Sequence, residues 1–337
     1  MVRLVDIARQ AGVSVMTVSR VMRDTPDISA ATRARVRALA EQMGYVPNAM
    51  AQSLRTRSTR LIAFVVPNVA DPVATRILLA LSERTHDLGR DLLVSQSLNR
   101  LDREEICIRR ALARRIEGFF LQPVYRLDPS APAYDEVRRH GAKVVVLGPK
   151  PPSCEPFVNV QADEALAASE ATSHLIELGH RRIAFLSGPP TSPTAQNRFE
   201  GYRRALRKAG LEVDDGLIFH AGETMEDGMK AAAQMLGESA AATAVQGVND
   251  QVAMGAATVF FDRGLRIPQD FSVVGCGNIP FSECFRVPLT TVRQPKYQLG
   301  LAAAGMMQAL LRGESVSSRL LPGTLVVRAS TGPPRDG

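Results

Sequence analysis

From Leu61 onward the chain alternates short apolar runs with helical stretches, and this alternation restricts its fold more than any other feature. The runs LIAFVVP (61–67), DLLVSQS (91–97), GFFLQP (118–123), AKVVVLG (142–148), RIAFLSG (182–188), AVQGVND (244–250) and FSVVGC (271–276) are β-branched or apolar and close on Gly, Pro or polar residues. Helical stretches at 74–88, 103–115, 163–178, 198–209 and 251–263 lie between them. A run that is apolar throughout, rather than at every second residue, is a strand buried on both faces. Such strands separated by helices build a parallel, doubly wound sheet, in which ligands sit beyond the carboxyl ends of the strands. The triplet IAF recurs at 62–64 and 183–185, each time ahead of an apolar residue and a Pro or Gly turn. Two successive α/β subdomains fit this repetition, and 337 residues are enough for two or three domains with real cores.

The first 60 residues have a different texture. They hold ten arginines, no lysine and four acidic side chains, so +6 of the chain's net +7 is concentrated there. Charge segregated into a small segment points to a polyanion, with nucleic acid foremost. Three helical patterns fit this segment. The first spans about 4–11, with Leu4, Ile7, Ala8 and Ala11 on one side, and Gly12 closes it. The second spans about 15–23 behind Ser14 as a cap, and the third follows Ser29, places Val36, Leu39, Ala40 and Met43 on one face, and stops at Gly44. At about 100° per residue the second helix puts Val18, Val21 and Met22 in one sector, with Val15 at its edge. Met16, Thr17 and Arg20 fall on the other side, which makes Met16 a contact residue rather than a core residue. Helix, glycine turn, helix with an arginine-rich outer face is the helix-turn-helix plan. A generic three-helix bundle with a basic surface is the alternative that geometry alone leaves open. After a break at 45–48, AMAQSLRTRSTR (49–60) reads as a short helix too brief to be stable alone.

Catalytic and metal chemistry find little footing. No GxSxG, GxxxxGK[ST] or complete GxGxxG occurs, and the five histidines show no HxxxH or HExxH spacing. Cys107, Cys154, Cys276 and Cys284 form no CxxC pair and no Cys/His cluster, so reduced thiols and no metal or cofactor are expected. His180 follows Gly179 at a helix end, where a cationic ring would suit the helix dipole in a structural role. No apolar run approaches a membrane span and no signal-peptide core opens the chain, so a cytoplasmic, nucleoid-associated location without a membrane partner is expected.

A resemblance narrows these readings. VDIARQAGVSVMTVSRVMRD (5–24) followed by GYVPNAMAQSLRT (44–56) resembles the DNA-binding headpiece of the LacI/GalR family of bacterial repressors. ELGHRRIAFLSGP (177–189), RFEGYRRAL (198–206), VNDQVAMGA (248–256) and PLTTVRQP (288–295) follow in family order and at family spacing. The resemblance covers almost the whole chain. It implies an all-α helix-turn-helix headpiece over 1–46, a hinge helix and linker over 47–59, and an effector-binding and dimerisation body over 60–330. That body would be like a periplasmic binding protein, with parallel sheets in two subdomains: about 60–160 with 290–321, and about 161–289 with 322–330. The function implied is a sequence-specific DNA-binding transcriptional regulator, an inducible repressor by lean, acting as a homodimer on a pseudo-palindromic operator. A sugar-binding protein without a regulatory role is the alternative, and it would carry no basic headpiece.

The resemblance also assigns residues. Val15 and Met16 occupy the family's variable base-reading positions, and Arg20 matches a further groove-facing residue. Apolar contact with thymine methyls suits the first two, and guanine suits the arginine. Ser14, Thr17, Ser19 and Asn48 match phosphate-holding positions. Leu54 matches the leucine that wedges into the central minor-groove step, with Ala51 packed beside it. For the effector, Arg198 and Asn249 match family pocket positions and Asp71 sits in the turn over the pocket. Asp163 matches the aspartate of the V..D segment. The chain departs from the family elsewhere: Val73 and Glu223 stand where aromatic platforms are common, and Gly277 replaces the aspartate that holds sugar hydroxyls. Deprived of that aspartate, Arg198 is expected to be free to receive an anion. The recognition helix and RGESV (312–316) are similar to gluconate-type repressors, so a sugar acid or sugar phosphate is expected. A neutral sugar held by Asn249, Gln122 and Asp71 is the rival.

Overall fold

The computed structural model describes residues 2–46, 58–238 and 241–335, which fall into two compact units divided between Thr59 and Arg60. The first unit is three helices: α1 (Leu4–Ala11), α2 (Val15–Val21) and α3 (Ala30–Gln42). Gly12 closes α1 in the left-handed conformation at φ 64°, where a side chain would be strained. Ser14 and Ser29 cap α2 and α3, each hydroxyl accepting the backbone N–H three residues on. Ile7, Ala8, Ala11, Val18, Val21, Val36 and Ala40 form the buried core, with Met22, Leu39 and Met43 at its margin.

The second unit is built of two lobes, each around a six-stranded sheet. Its elements run β1 (Leu61–Val66), α4 (Pro72–Asp87), β2 (Asp91–Gln96), α5 (Leu101–Ala113), β3 (Gly118–Leu121), α6 (Pro132–Arg139), β4 (Lys143–Leu147) and β5 (Val158–Ala162). They continue α7 (Glu164–Glu177), β6 (Ile183–Ser187), α8 (Pro193–Lys208), β7 (Ile218–His220), α9 (Met225–Gly237), β8 (Ala244–Gly247) and α10 (Asp250–Asp262). The last are β9 (Ser272–Gly277), α11 (Phe281–Cys284), β10 (Thr290–Arg293), α12 (Lys296–Leu311), β11 (Arg319–Leu321) and β12 (Thr324–Val326). The first sheet has the order β11-β5-β4-β3-β1-β2 and is parallel throughout. The second has the order β12-β10-β9-β8-β6-β7 and is parallel except for the antiparallel β12.

Why the first sheet reads as continuous apolar runs is visible in β1. Ile62, Phe64 and Val66 face one core with Ile77, Leu81 and Met307, while Ala63 and Val65 face another with Ile108, Leu112 and Tyr134. Both faces are covered by helices, so no position is left for a polar residue. The second lobe repeats the plan around Phe185, Val245 and Val273. Helices α7 and α8 meet closely there, because a Cβ on Gly201 would run into the Ala165 carbonyl.

The chain crosses between lobes three times, at Asp163, at Gln294–Pro295 and at Pro322–Gly323. The second crossing comes later than the boundary expected at 290, because Thr290–Arg293 pairs with β9 in the second sheet. Strands β5, β7, β10, β11 and β12 have no counterpart among the sequence-derived runs. Strand β10 hides behind its threonines: Thr290 and Thr291 are fully buried, and their hydroxyls bond Thr331 and Asp250.

His180 is structural, but not as a cation. The ring is 1% exposed and bonds Thr243 Oγ1, Ser272 Oγ and the Gly332 carbonyl, pinning the segment after β12. Burial lowers its pKa below 6.5, so the neutral ring is the form that fits. Among the described residues no helix is long and apolar enough to cross a membrane.

Candidate DNA-reading face and ligand cleft

On α2 the two faces separate cleanly. Val18 and Val21 are fully buried, whereas Val15 and Met16 are 43% and 63% exposed. Among the described residues nothing in their own unit covers these two apolar side chains at the first turn of a capped helix. Beside them the Ser14 and Thr17 hydroxyls bond each other at 2.9 Å. Ser19 is half-buried, and its carbonyl accepts the Arg23 Nε–H. The Arg20 guanidinium donates to Asp27 at 2.9 Å in a pair that is about half exposed at both ends. Such a surface pair is worth at most about 1 kcal/mol, so a stronger acceptor displaces the carboxylate readily. Asn48, Ala51 and Leu54 lie outside the described residues.

The second unit gathers its candidate ligand residues at the carboxyl ends of the strands, on both sides of the seam between the lobes. In the first lobe, Asp71 caps α4 by accepting the Val73 N–H at 2.8 Å, and the Val73 side chain packs on the lobe's core. Gln122 directly follows β3; its backbone N–H reaches Val65, and its buried side-chain carbonyl has no partner. In the second lobe, Arg198 lies on α8, Asn249 and Asp250 begin α10, and Gly277 ends β9. Asn249 accepts the Val252 N–H and donates to the Glu223 carbonyl, while the Glu223 side chain stands exposed. Asp163 caps α7, accepting the Leu166 N–H at 2.9 Å. Gly277 has φ 139°, so an aspartate in this backbone conformation would be strained.

Arg198 is not free, which corrects the expectation that it receives an anion. Its Nε donates to Glu164 Oε2 at 2.7 Å and a terminal nitrogen donates to the Val248 carbonyl at 2.7 Å, both partners being buried. The missing aspartate is replaced by a glutamate from a different segment, the first residue of α7. Sequence reading missed Glu164 because its partner is 34 positions away. It also missed Gln294 and Lys296, which flank the second crossing. Gln294 donates its amide to Glu164, and its carbonyl oxygen has no partner. Lys296 opens α12, is 7% exposed and donates to the Asn278 carbonyl at 3.2 Å. The signal for it was compositional, because it is one of five lysines in a chain whose cations are otherwise arginine. The other four lysines are exposed or only half-buried.

Asp250 is fully buried and accepts from the Ile279 N–H at 2.8 Å, the Ser282 hydroxyl at 2.6 Å and the Thr291 hydroxyl. It ties the loop after β9 to the start of α10. Burial pushes the Cys276 thiol up to about 12, so it sits among these charges as a neutral group.

Comparison with known proteins bears on both units. Residues 3–48 match the family model described as bacterial regulatory proteins, lacI family, and residues 172–331 match the periplasmic binding protein-like domain. The HTH-type transcriptional repressor CytR of Escherichia coli K12 is 32% identical over 97% of this chain and 95% of its own length. The crystal structure of the Lac repressor dimer bound to operator and the anti-inducer ONPF superposes with a TM-score of 0.88, at 30% identity over 98% and 99% of the two chains. A complex of the transcriptional regulator CelR with cellobiose superposes with a TM-score of 0.73, at 30% identity over 98% and 100%.

Proposed function

The chain belongs to the LacI family of bacterial regulatory proteins and is a DNA-binding transcriptional regulator answering to a small molecule, and from that premise we propose how its parts share the work. Residues 1–46 read the operator, 47–59 serve as the hinge, and 60–330 bind the effector and hold two copies together as a homodimer. The dimer recognises a pseudo-palindromic site, as two-fold symmetry requires. The protein works in the cytoplasm.

In the headpiece Val15 and Met16 touch base edges, Arg20 exchanges Asp27 for guanine, and Ser14, Thr17, Ser19 and Asn48 hold phosphates. Leu54, with Ala51 beside it, enters the minor groove. The observation that carries this reading is the open, apolar first turn of α2 at Val15 and Met16, opposite a closed core face. In the body the effector is a sugar, sugar acid or sugar phosphate lying between the lobes, touched by Asp71, Val73, Gln122, Arg198, Glu223, Asn249 and the backbone at Gly277. Arg198 takes part while paired with Glu164. The effector changes operator affinity only as far as it binds one arrangement of the two lobes better than the other. Release of DNA on effector binding is the direction we propose.

Fluorescence anisotropy of the full chain on its own upstream DNA tests the headpiece part. Binding that resists raised salt, or that survives deletion of residues 1–58, overturns it.

A further inference from the structure

We propose that Lys296 and Gln294 form a subsite for an oxyanion that bears a neighbouring hydroxyl group, so that the effector is a polyhydroxylated carboxylate or a sugar phosphate rather than a neutral sugar. This rests on the reading of the interlobe cleft as the effector site.

Arg198 is matched by Glu164 at 2.7 Å. Asp250 keeps its charge, its oxygens held by three neutral donors, and forms no ion pair with Lys296. Lys296 remains. Its ammonium has three N–H donors, and its one hydrogen bond is to the Asn278 carbonyl at 3.2 Å. Asp250 and Asp71 attract it from farther off, neither forming an ion pair with it, and burial opposes its charge. Removing an ammonium from water is costly when it is not closely paired. Among the described residues no ion pair with Lys296 offsets that, and a bound oxyanion would, through short charge-assisted hydrogen bonds.

Gln294 supplies the second observation. It is 7% exposed, its amide nitrogen is committed to Glu164, and its carbonyl oxygen has no partner. A bare acceptor two residues from an under-bonded cation asks for a ligand that carries both a donor and an anion. A hydroxyl adjacent to a carboxylate or phosphate meets both demands in one ligand. A neutral hydroxyl on Lys296 would satisfy its geometry and leave its charge unmatched.

Calorimetric titration of the full chain with gluconate, glucose 6-phosphate, inorganic phosphate and glucose tests this. Gluconate or glucose 6-phosphate is expected to bind at least tenfold more tightly than glucose or inorganic phosphate, and which of the two binds identifies the oxyanion. Lys296→Gln should weaken that ligand at least thirtyfold, and Lys296→Arg should restore part of the loss. Lys296→Met, of similar length and without charge, serves as a second variant should the glutamine fail to fold; both melting curves are recorded. Glucose binding as tightly as the anions, with Lys296→Gln unaffected, overturns the proposal and leaves the cleft reading standing. An anion that binds equally well to wild type, Lys296→Gln and Lys296→Met does not use Lys296, which also overturns the proposal. No binding by either organic anion also overturns it.

Discussion

Exposure of Met16 was legible from the sequence because a helix of seven residues leaves few ways to arrange its faces, whereas Val15, at the edge of the core sector on the wheel, was assigned by the resemblance alone. Met16→Ala should weaken operator binding by about 1 kcal/mol, the scale of a lost apolar contact. The loss should be confined to one or two base positions, with non-specific affinity unchanged, as read by anisotropy on a panel of substituted operators. Asp27→Asn should act in the opposite direction, strengthening operator binding several-fold by releasing Arg20 and removing a negative charge. Arg198 was legible as a position but not as a state, since its partner Glu164 is brought in by packing rather than by spacing. Glu164→Ala leaves a buried guanidinium without its counterion and should cost about 3–5 kcal/mol in urea denaturation. The neutral His180 makes a pH prediction. Its folded pKa lies below 6.5, so the unfolded chain takes up the proton first. Stability is complete above about 6.5 and falls as pH drops below it. Thermal melting at pH 7.5 and 5.5 should show the drop, and His180→Asn should reduce it, with His174, whose pKa burial also lowers, carrying the remainder.

At the level of elements, apolar contrast decided what could be read. Strand β1 announces itself because every residue in it after Leu61 is buried, on alternating faces. Strand β10 does not, since its two buried threonines look like loop residues until their hydroxyl partners are known. Helix α12 was also unread: KYQLGLAAAGMMQALL is apolar almost all round, which erases the 3.6-residue rhythm that marks a surface helix. The headpiece helices were read well because their ends carry chemistry, with serine caps before α2 and α3 and glycine after α1. Ser29→Ala should therefore cost about 1 kcal/mol of local stability at α3. Faster amide hydrogen exchange across residues 30–33 in the full chain is the measurement that checks it.

For the molecule as a whole, the uneven charge sets how it meets DNA. Acting as the homodimer proposed above and neutralising about 6–10 phosphates, it should lose roughly 10³–10⁵ in operator affinity between 50 and 200 mM salt. The body carries almost none of the net charge, so effector binding by the full chain should be far less sensitive to the same change. The three lobe crossings have a consequence of another kind, in the order in which the protein is made. Arg319 pairs with Val160 in one sheet and Val326 pairs with Thr291 in the other, so each sheet is closed by residues near the end of the chain. A growing chain on the ribosome therefore finishes neither lobe until residues 319–326 have emerged. Completing both lobes then relies on contacts between strands far apart in the sequence, which slow folding. A body of this topology depends on nascent-chain protection more than an ordinary pair of consecutive domains does.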